Sequence, residues 1–167
     1  MKKLILMLML FAPMTMFAQQ KFGHLDAQSI MSSMPEFIKA KGEVDARQKE
    51  MENELKTMQD EFQRKLDEYQ KTQSTMNATK QKETEEQLTQ MNQKLQQAFN
   101  DGQQELAKLS QEKMLPIQTK LVNAIKAVGK AGNYVYIMDI AAGIPYISDT
   151  LSKDVTAEVK AQLNKMK

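Results

Sequence analysis

The 167 residues carry 23 basic and 21 acidic side chains, a single histidine and no cysteine, for a formal net charge of +2. Lys2 and Lys3 account for that excess, and the remaining charges interleave along the chain, which argues against a nucleic-acid surface. Without cysteine there is no disulfide, no thiol nucleophile and no cysteine-ligated zinc, so stability has to come from packing or assembly.

In chain order, Lys2 and Lys3 precede an apolar run from Leu4 to Phe17 that ends at Ala18, the pattern of a secretory signal peptide over residues 1–18. The run is shorter than the roughly 20 apolar residues a membrane span requires. No later segment is apolar enough to span a bilayer, so the expected location is the periplasm after cleavage. Residues 19–35 then open a small body, with a strand expected over Lys21 to Leu25 and a short helix after Asp26.

From Glu36 to Leu115 the chain has no proline and is dense in Glu, Lys, Gln and Met, which are good helix formers. Ser33-Met34-Pro35-Glu36 marks its start: the serine suits the cap, the proline suits the first turn, and the glutamate is placed for a capping box. Leu55, Phe62, Tyr69 and Met76 recur every seven residues beside Phe37, Val44, Met51 and Met58, giving an a/d seam. A second seam follows, with Leu88, Leu95 and Leu109 in one series and Met91 and Ala98 in the other. The two are out of phase by a slip that a continuous coiled coil does not absorb, so the chain turns between them, near residues 74–82. Two arms of nearly equal length, each about 55–60 Å at 1.5 Å per residue, make an antiparallel hairpin over residues 36–115. Gly102 is expected to add local flexibility, and Pro116 to break or kink the returning arm.

Residues 116–167 complete the body. A helix continues from Ile117 to Val128 and stops at Gly129 and Gly132. Strands are expected at Tyr134 to Met138 and at Ile144 to Ile147, with Pro145 confining the latter to an edge or a bulge. In the first, Tyr134, Tyr136 and Met138 alternate with Val135 and Ile137 across the two faces. A last helix, Asp154 to Lys165, has Asp154 as its cap and buries Val155, Val159 and Leu163. The fold class is therefore α+β, a small mixed body with short strands plus a long antiparallel coiled-coil hairpin. So small a body buries only a modest core, which makes self-association the natural remedy.

Four segments give the chain a resemblance to a known family: Lys21-Phe22-Gly23-His24-Leu25-Asp26, Met34-Pro35-Glu36-Phe37, Gly132-Asn133-Tyr134-Val135 followed by Ile137-Met138-Asp139, and Asp154-Val155-Thr156. In order and spacing they resemble the Skp/OmpH family of periplasmic chaperones from end to end. The resemblance implies a homotrimer whose subunits pool their strands and surround a cavity with helical hairpins. It also implies the holding of unfolded outer-membrane proteins without ATP, with no catalytic residue, no cofactor and no metal. Members of that family are described as basic and as touching lipopolysaccharide or acidic surfaces, and this near-neutral arm departs from them, so lipopolysaccharide or membrane contact is not expected.

Client contact is placed on the arm faces around Met58, Phe62, Tyr69, Met76, Leu88, Met91, Leu95 and Phe99. An a/d stripe is more often the seam of its own hairpin, which would shift contact to flanking positions. The oligomer core is placed on Phe22, Leu25, Val135, Ile137, Ile144 and Ile147. His24 lacks convergent partners in the sequence and reads as structural. The alternative function is a coiled-coil scaffold or spacer engaging one folded envelope partner.

Overall fold

A computed structural model describes residues 20–166, so the predicted signal peptide lies outside the described residues. In order these form strand β1 (Lys21–Leu25), helix α1 (Ala27–Ser32), helix α2 (Pro35–Thr72), a short 3-10 turn (Gln73–Thr75) and helix α3 (Ala78–Gly132). Strand β2 (Tyr134–Asp139), a second 3-10 turn (Ile140–Ala142), strand β3 (Ser152–Asp154) and helix α4 (Thr156–Leu163) follow. Two compact units emerge, one formed by the residues through Ala27 together with those from Asn123 onward, the other by Gln28–Val122.

The first unit is built on a three-stranded parallel sheet in the order β2-β1-β3. Its buried apolar residues are Leu25, Ala124, Val155, Val159 and Leu163, and β1 alternates so that Gly23 and Leu25 turn inward. A Cβ on Gly23 would stand 3.1 Å from Ile137 Cγ1 and 3.2 Å from Tyr134 Cδ1, so a bare backbone is what lets β2 cover β1 this closely.

Strict alternation along β2 does not hold. The register steps from Lys21 opposite Tyr134 to Phe22 opposite Tyr136, a bulge that inserts one extra residue. Tyr134 and Ile137 consequently share the face over Gly23, and the Tyr136 ring lies 4.8 Å from that of Phe22. Helix α3 runs through Gly129 and ends at Gly132, the second of the two expected stops, followed by Asn133 in the left-handed region at φ 56°.

The strand expected at Ile144 to Ile147 is absent. Gly143 takes a left-handed φ of 74°, Pro145 has no N–H for a ladder, and the segment stays irregular. The third strand is instead the polar triplet Ser152–Asp154, paired through Phe22 with Ser152 and His24 with Asp154. Asp154 thus belongs to this strand and not to the last helix, which is shorter than predicted, although its Oδ1 still accepts the Thr156 N–H at 2.8 Å. Asp139, at the end of β2, accepts the N–H groups of Ala27 and Ala141 and so satisfies the first turn of α1 from a different strand.

Two further expectations in the second unit are corrected. Ser33 does not cap α2; its hydroxyl donates to the Ile30 carbonyl at 2.7 Å, Met34 is the cap position without a side-chain bond, and only Pro35 keeps its predicted role. Pro116 does not break the returning helix, which runs through it. An interior proline costs about 3 kcal/mol, but Ile117 and Leu121 directly beyond it are buried, and ion pairs from Lys113 and Lys120 to α2 hold the turns on either side.

Candidate functional site

The long hairpin is the feature that distinguishes this chain. Its helices are antiparallel, as cross-helix pairs show: Glu36 with Lys120 and Glu43 with Lys113 at one end, Arg47 with Glu105 and Met51 against Gly102 in the middle, Tyr69 with Glu85 near the turn. The chain reverses over Gln73–Thr75 and an extended Met76. Asn77 then starts α3 by accepting the Lys80 N–H at 2.8 Å.

Residues turned inward on α2 include Met51, Leu55, Met58, Phe62 and Tyr69, with Met76 following in the turn; on α3 they include Leu88, Met91, Leu95, Ala98, Gly102 and Leu109. Both sets keep the heptad spacing, and Gly102 occupies the position missing from the series of Leu88, Leu95 and Leu109. Its role is close packing, not flexibility. It is buried, and a Cβ there would overlap the Met51 side chain, with Cγ at 2.8 Å. Beside this contact Arg47 grips Glu105 with two parallel bonds of 2.8 and 3.0 Å and reaches Glu54 at 3.2 Å. Such a fork fixes the axial register of the two helices as well as adding attraction.

Elsewhere the seam is thin. Of the eight predicted contact residues Leu88 is buried, while Met58, Phe62, Tyr69, Met76, Met91 and Leu95 are half-buried and Phe99 lies outside the seam at 48% exposure. The hairpin therefore brings seven of them onto its own seam and leaves Phe99 on a flank. Sequence reading missed Ile38, Leu115 and Val122 as exposed apolar residues of the same unit. Their only signal is that they fall off the a/d series while being apolar, which a stripe search discards. A shallow groove of about 310 Å³ sits between the helices over Ala40 and Ile117, walled by the Glu36–Lys120 and Glu43–Lys113 pairs.

In the sheet unit, Leu25 is buried within a single chain, Phe22, Ile137, Ile144 and Ile147 are half-buried, and Val135 is 56% exposed. Tyr136, Met138, Ile140, Tyr146 and Leu151 are also exposed there, none of them singled out from sequence as surface contacts. His24 Nδ1 lies 2.9 Å from Ser152 Oγ, so it ties β1 to β3. The Asp154 carboxyl is held below its ordinary range by its Thr156 hydrogen bonds, with a smaller contribution from His24. Among the described residues no group of three or more His, Asp or Glu side chains is placed to hold a metal ion.

Hydrogen bonding to Lys120, Lys113 and Arg47 lowers the pKa values of Glu36, Glu43 and Glu105 respectively. A carboxylate with a depressed folded pKa stabilises the fold above its unfolded value of about 4.3 and loses that contribution as pH falls through the folded value. Thermal unfolding of the hairpin should therefore be flat between about pH 8 and 5 and decline below about pH 4. These groups are solvent-exposed, so the decline is modest and added salt flattens it. Melting curves followed by circular dichroism across pH check this.

Comparison with known proteins gives a consistent placement. Residues 21–163 match the family model described as outer membrane protein (OmpH-like). Among solved structures, a candidate outer membrane chaperone (OmpH-like) from Caulobacter crescentus superposes with a TM-score of 0.73 at 14% identity, covering 87% of this chain and 85% of that one. At that identity the likeness concerns the fold. Among proteins of curated function none matches. With the family model spanning almost all of the described residues, the chain belongs to the OmpH-like outer membrane protein family.

Proposed function

We propose that this protein is an ATP-independent holding chaperone of the periplasm, which keeps unfolded outer-membrane proteins from aggregating in a space bounded by the helical hairpins of a homotrimer. The observation that carries this reading is the hairpin itself: two long antiparallel helices most of whose apolar residues stay half-buried or exposed among evenly mixed charges. Many weak apolar contacts suit a compartment without ATP, where binding has to be reversible and release is driven by the client folding elsewhere. Flexible methionines beside polar glutamines can adapt to chains of varied sequence.

Client contact in this reading falls on the half-exposed edges of Met58, Phe62, Tyr69, Met76, Met91 and Leu95 and on the exposed ring of Phe99, with Leu88 buried among them until the arms part. Self-association rests on the sheet unit, where Val135 and its exposed apolar neighbours adjoin the half-buried Phe22, Ile137, Ile144 and Ile147. An isolated three-stranded sheet with so much apolar surface in water is a poor end state.

The test is light scattering while a urea-denatured outer-membrane barrel protein is diluted into buffer with this protein present. Suppression at stoichiometric amounts without ATP is the expected result. Unchanged aggregation in the presence of the folded, oligomeric protein would transfer the assignment to a scaffold that engages one folded partner.

A further inference from the structure

The two halves of the hairpin seam differ in their sulfur chemistry. In the inner half the seam methionines Met34 and Met51 are buried at 4% and 8% exposure, and Met51 is pressed against Gly102, while Met114 in the same half is half-buried but stands between Lys113 and Lys120, which carry ion pairs to α2. In the outer half Met58, Met76 and Met91 are half-buried, so water and small solutes reach them. The same half carries Lys65, Thr72, Gln81 and Thr84 at seam positions, which leaves these three thioethers a large share of its apolar contact. Its polar ties include Tyr69 donating to Glu85 at 2.5 Å and Gln81 donating to Tyr69 at 3.3 Å. The inner half has the Arg47 fork and the lysine pairs, none of which involves sulfur. No cysteine competes for oxidant.

We propose that Met58, Met76 and Met91 form an oxidation site for small peroxides, and that their conversion to sulfoxides opens the outer half of the hairpin while the inner half stays closed. The step is a two-electron oxygen transfer. With hydrogen peroxide the thioether lone pair attacks one oxygen, the S–O bond forms as the O–O bond breaks, and the proton of the attacked oxygen passes through solvent to the departing hydroxide, which leaves as water; sulfur is oxidised and the peroxide reduced. The product is a polar, chiral side chain that no longer fits an apolar seam. Opening exposes Phe62, Leu88 and Leu95, whose cover is the seam itself. This inference does not depend on what the hairpin holds.

The experiment exposes the full chain to hydrogen peroxide, maps sulfoxides by peptide mass spectrometry and measures amide hydrogen exchange. Met58, Met76 and Met91 should oxidise at least about tenfold faster than Met34 and Met51. Exchange should rise across residues 55–95 and remain unchanged across 36–48 and 105–120. A variant with Met58→Leu, Met76→Leu and Met91→Leu keeps seam volume and should show no rise, even though Met31 and Met114 remain available to oxidant. Methionine sulfoxide reductases should restore the original exchange of the oxidised wild type. Equal oxidation rates for buried and half-buried methionines, unchanged exchange after oxidation, or an undiminished response in the triple-leucine variant would each overturn the proposal.

Discussion

Leu25→Ala should remove about 2–5 kcal/mol of stability, as cutting a fully packed leucine back to alanine leaves both a transfer loss and a cavity. Leu25 is 2% exposed, on the central strand of a three-stranded sheet, and it shares its unit with Val155 and Val159, which are fully buried. Few other large side chains of that unit are buried, so little remains to collapse into the gap or to compensate for it. In urea titration the transition attributable to the sheet unit should shift to markedly lower denaturant. Far-ultraviolet circular dichroism should meanwhile show most of the helix content retained, because the hairpin ties from Glu36–Lys120 to Tyr69–Glu85 lie in the other unit. A variant as stable as the wild type would mean that the sheet core is replaceable, and with it the idea that so small a unit depends on each buried residue.

Shortening the hairpin by whole heptads should abolish holding while leaving the rest folded. Deleting residues 58–71 from α2 and 81–94 from α3 removes two heptads from each helix, about 21 Å at 1.5 Å per residue. Removing multiples of seven preserves the a/d phase. Met51 still meets Gly102, Arg47 still reaches Glu105, and the turn at Gln73–Thr75 is retained. Most of the proposed contact residues go with the deleted segments, so suppression of aggregation should fall by at least about tenfold, while the oligomeric state by light scattering stays as in the wild type. Full holding by the shortened form would place client contact elsewhere, with the exposed Ile38, Leu115 and Val122 as the next surface to mutate. A shortened form that neither folds nor assembles is distinguished from a loss of contact by its circular dichroism, and single polar substitutions at Phe62 and Leu95 then address the same question.

The long helices were legible because helix-forming composition and heptad spacing are local signals. Leu55, Phe62, Tyr69 and Met76 announce a seam wherever they occur, and the phase slip before Leu88 requires a reversal without any knowledge of the partner helix. Strands β1 and β2 and the helix stop at Gly132 were likewise readable from short-range pattern. Strand β3 was not, since Ser152–Asp154 is a polar triplet that becomes a strand only because the backbone of β1 offers it a ladder. The apolar Ile144 to Ile147, richer in local strand preference, lost to the left-handed Gly143 and to Pro145. Two residues changed meaning for the same kind of reason. Gly102 suggests flexibility along one helix and is where the Met51 side chain of the other helix packs, and Pro116 suggests a break or kink, whereas the helix runs through it with Ile117 and Leu121 buried beyond, a property of the packed structure. For the candidate site, sequence placed Met58 to Leu95 on an apolar stripe but left open whether that stripe faces a client or its own partner helix. The tertiary structure put it on the seam and set Phe99 outside. Periodicity along one chain defines a face; which surface meets that face is decided by the antiparallel register, and the register is set by contacts between residues such as Arg47 and Glu105, 58 positions apart.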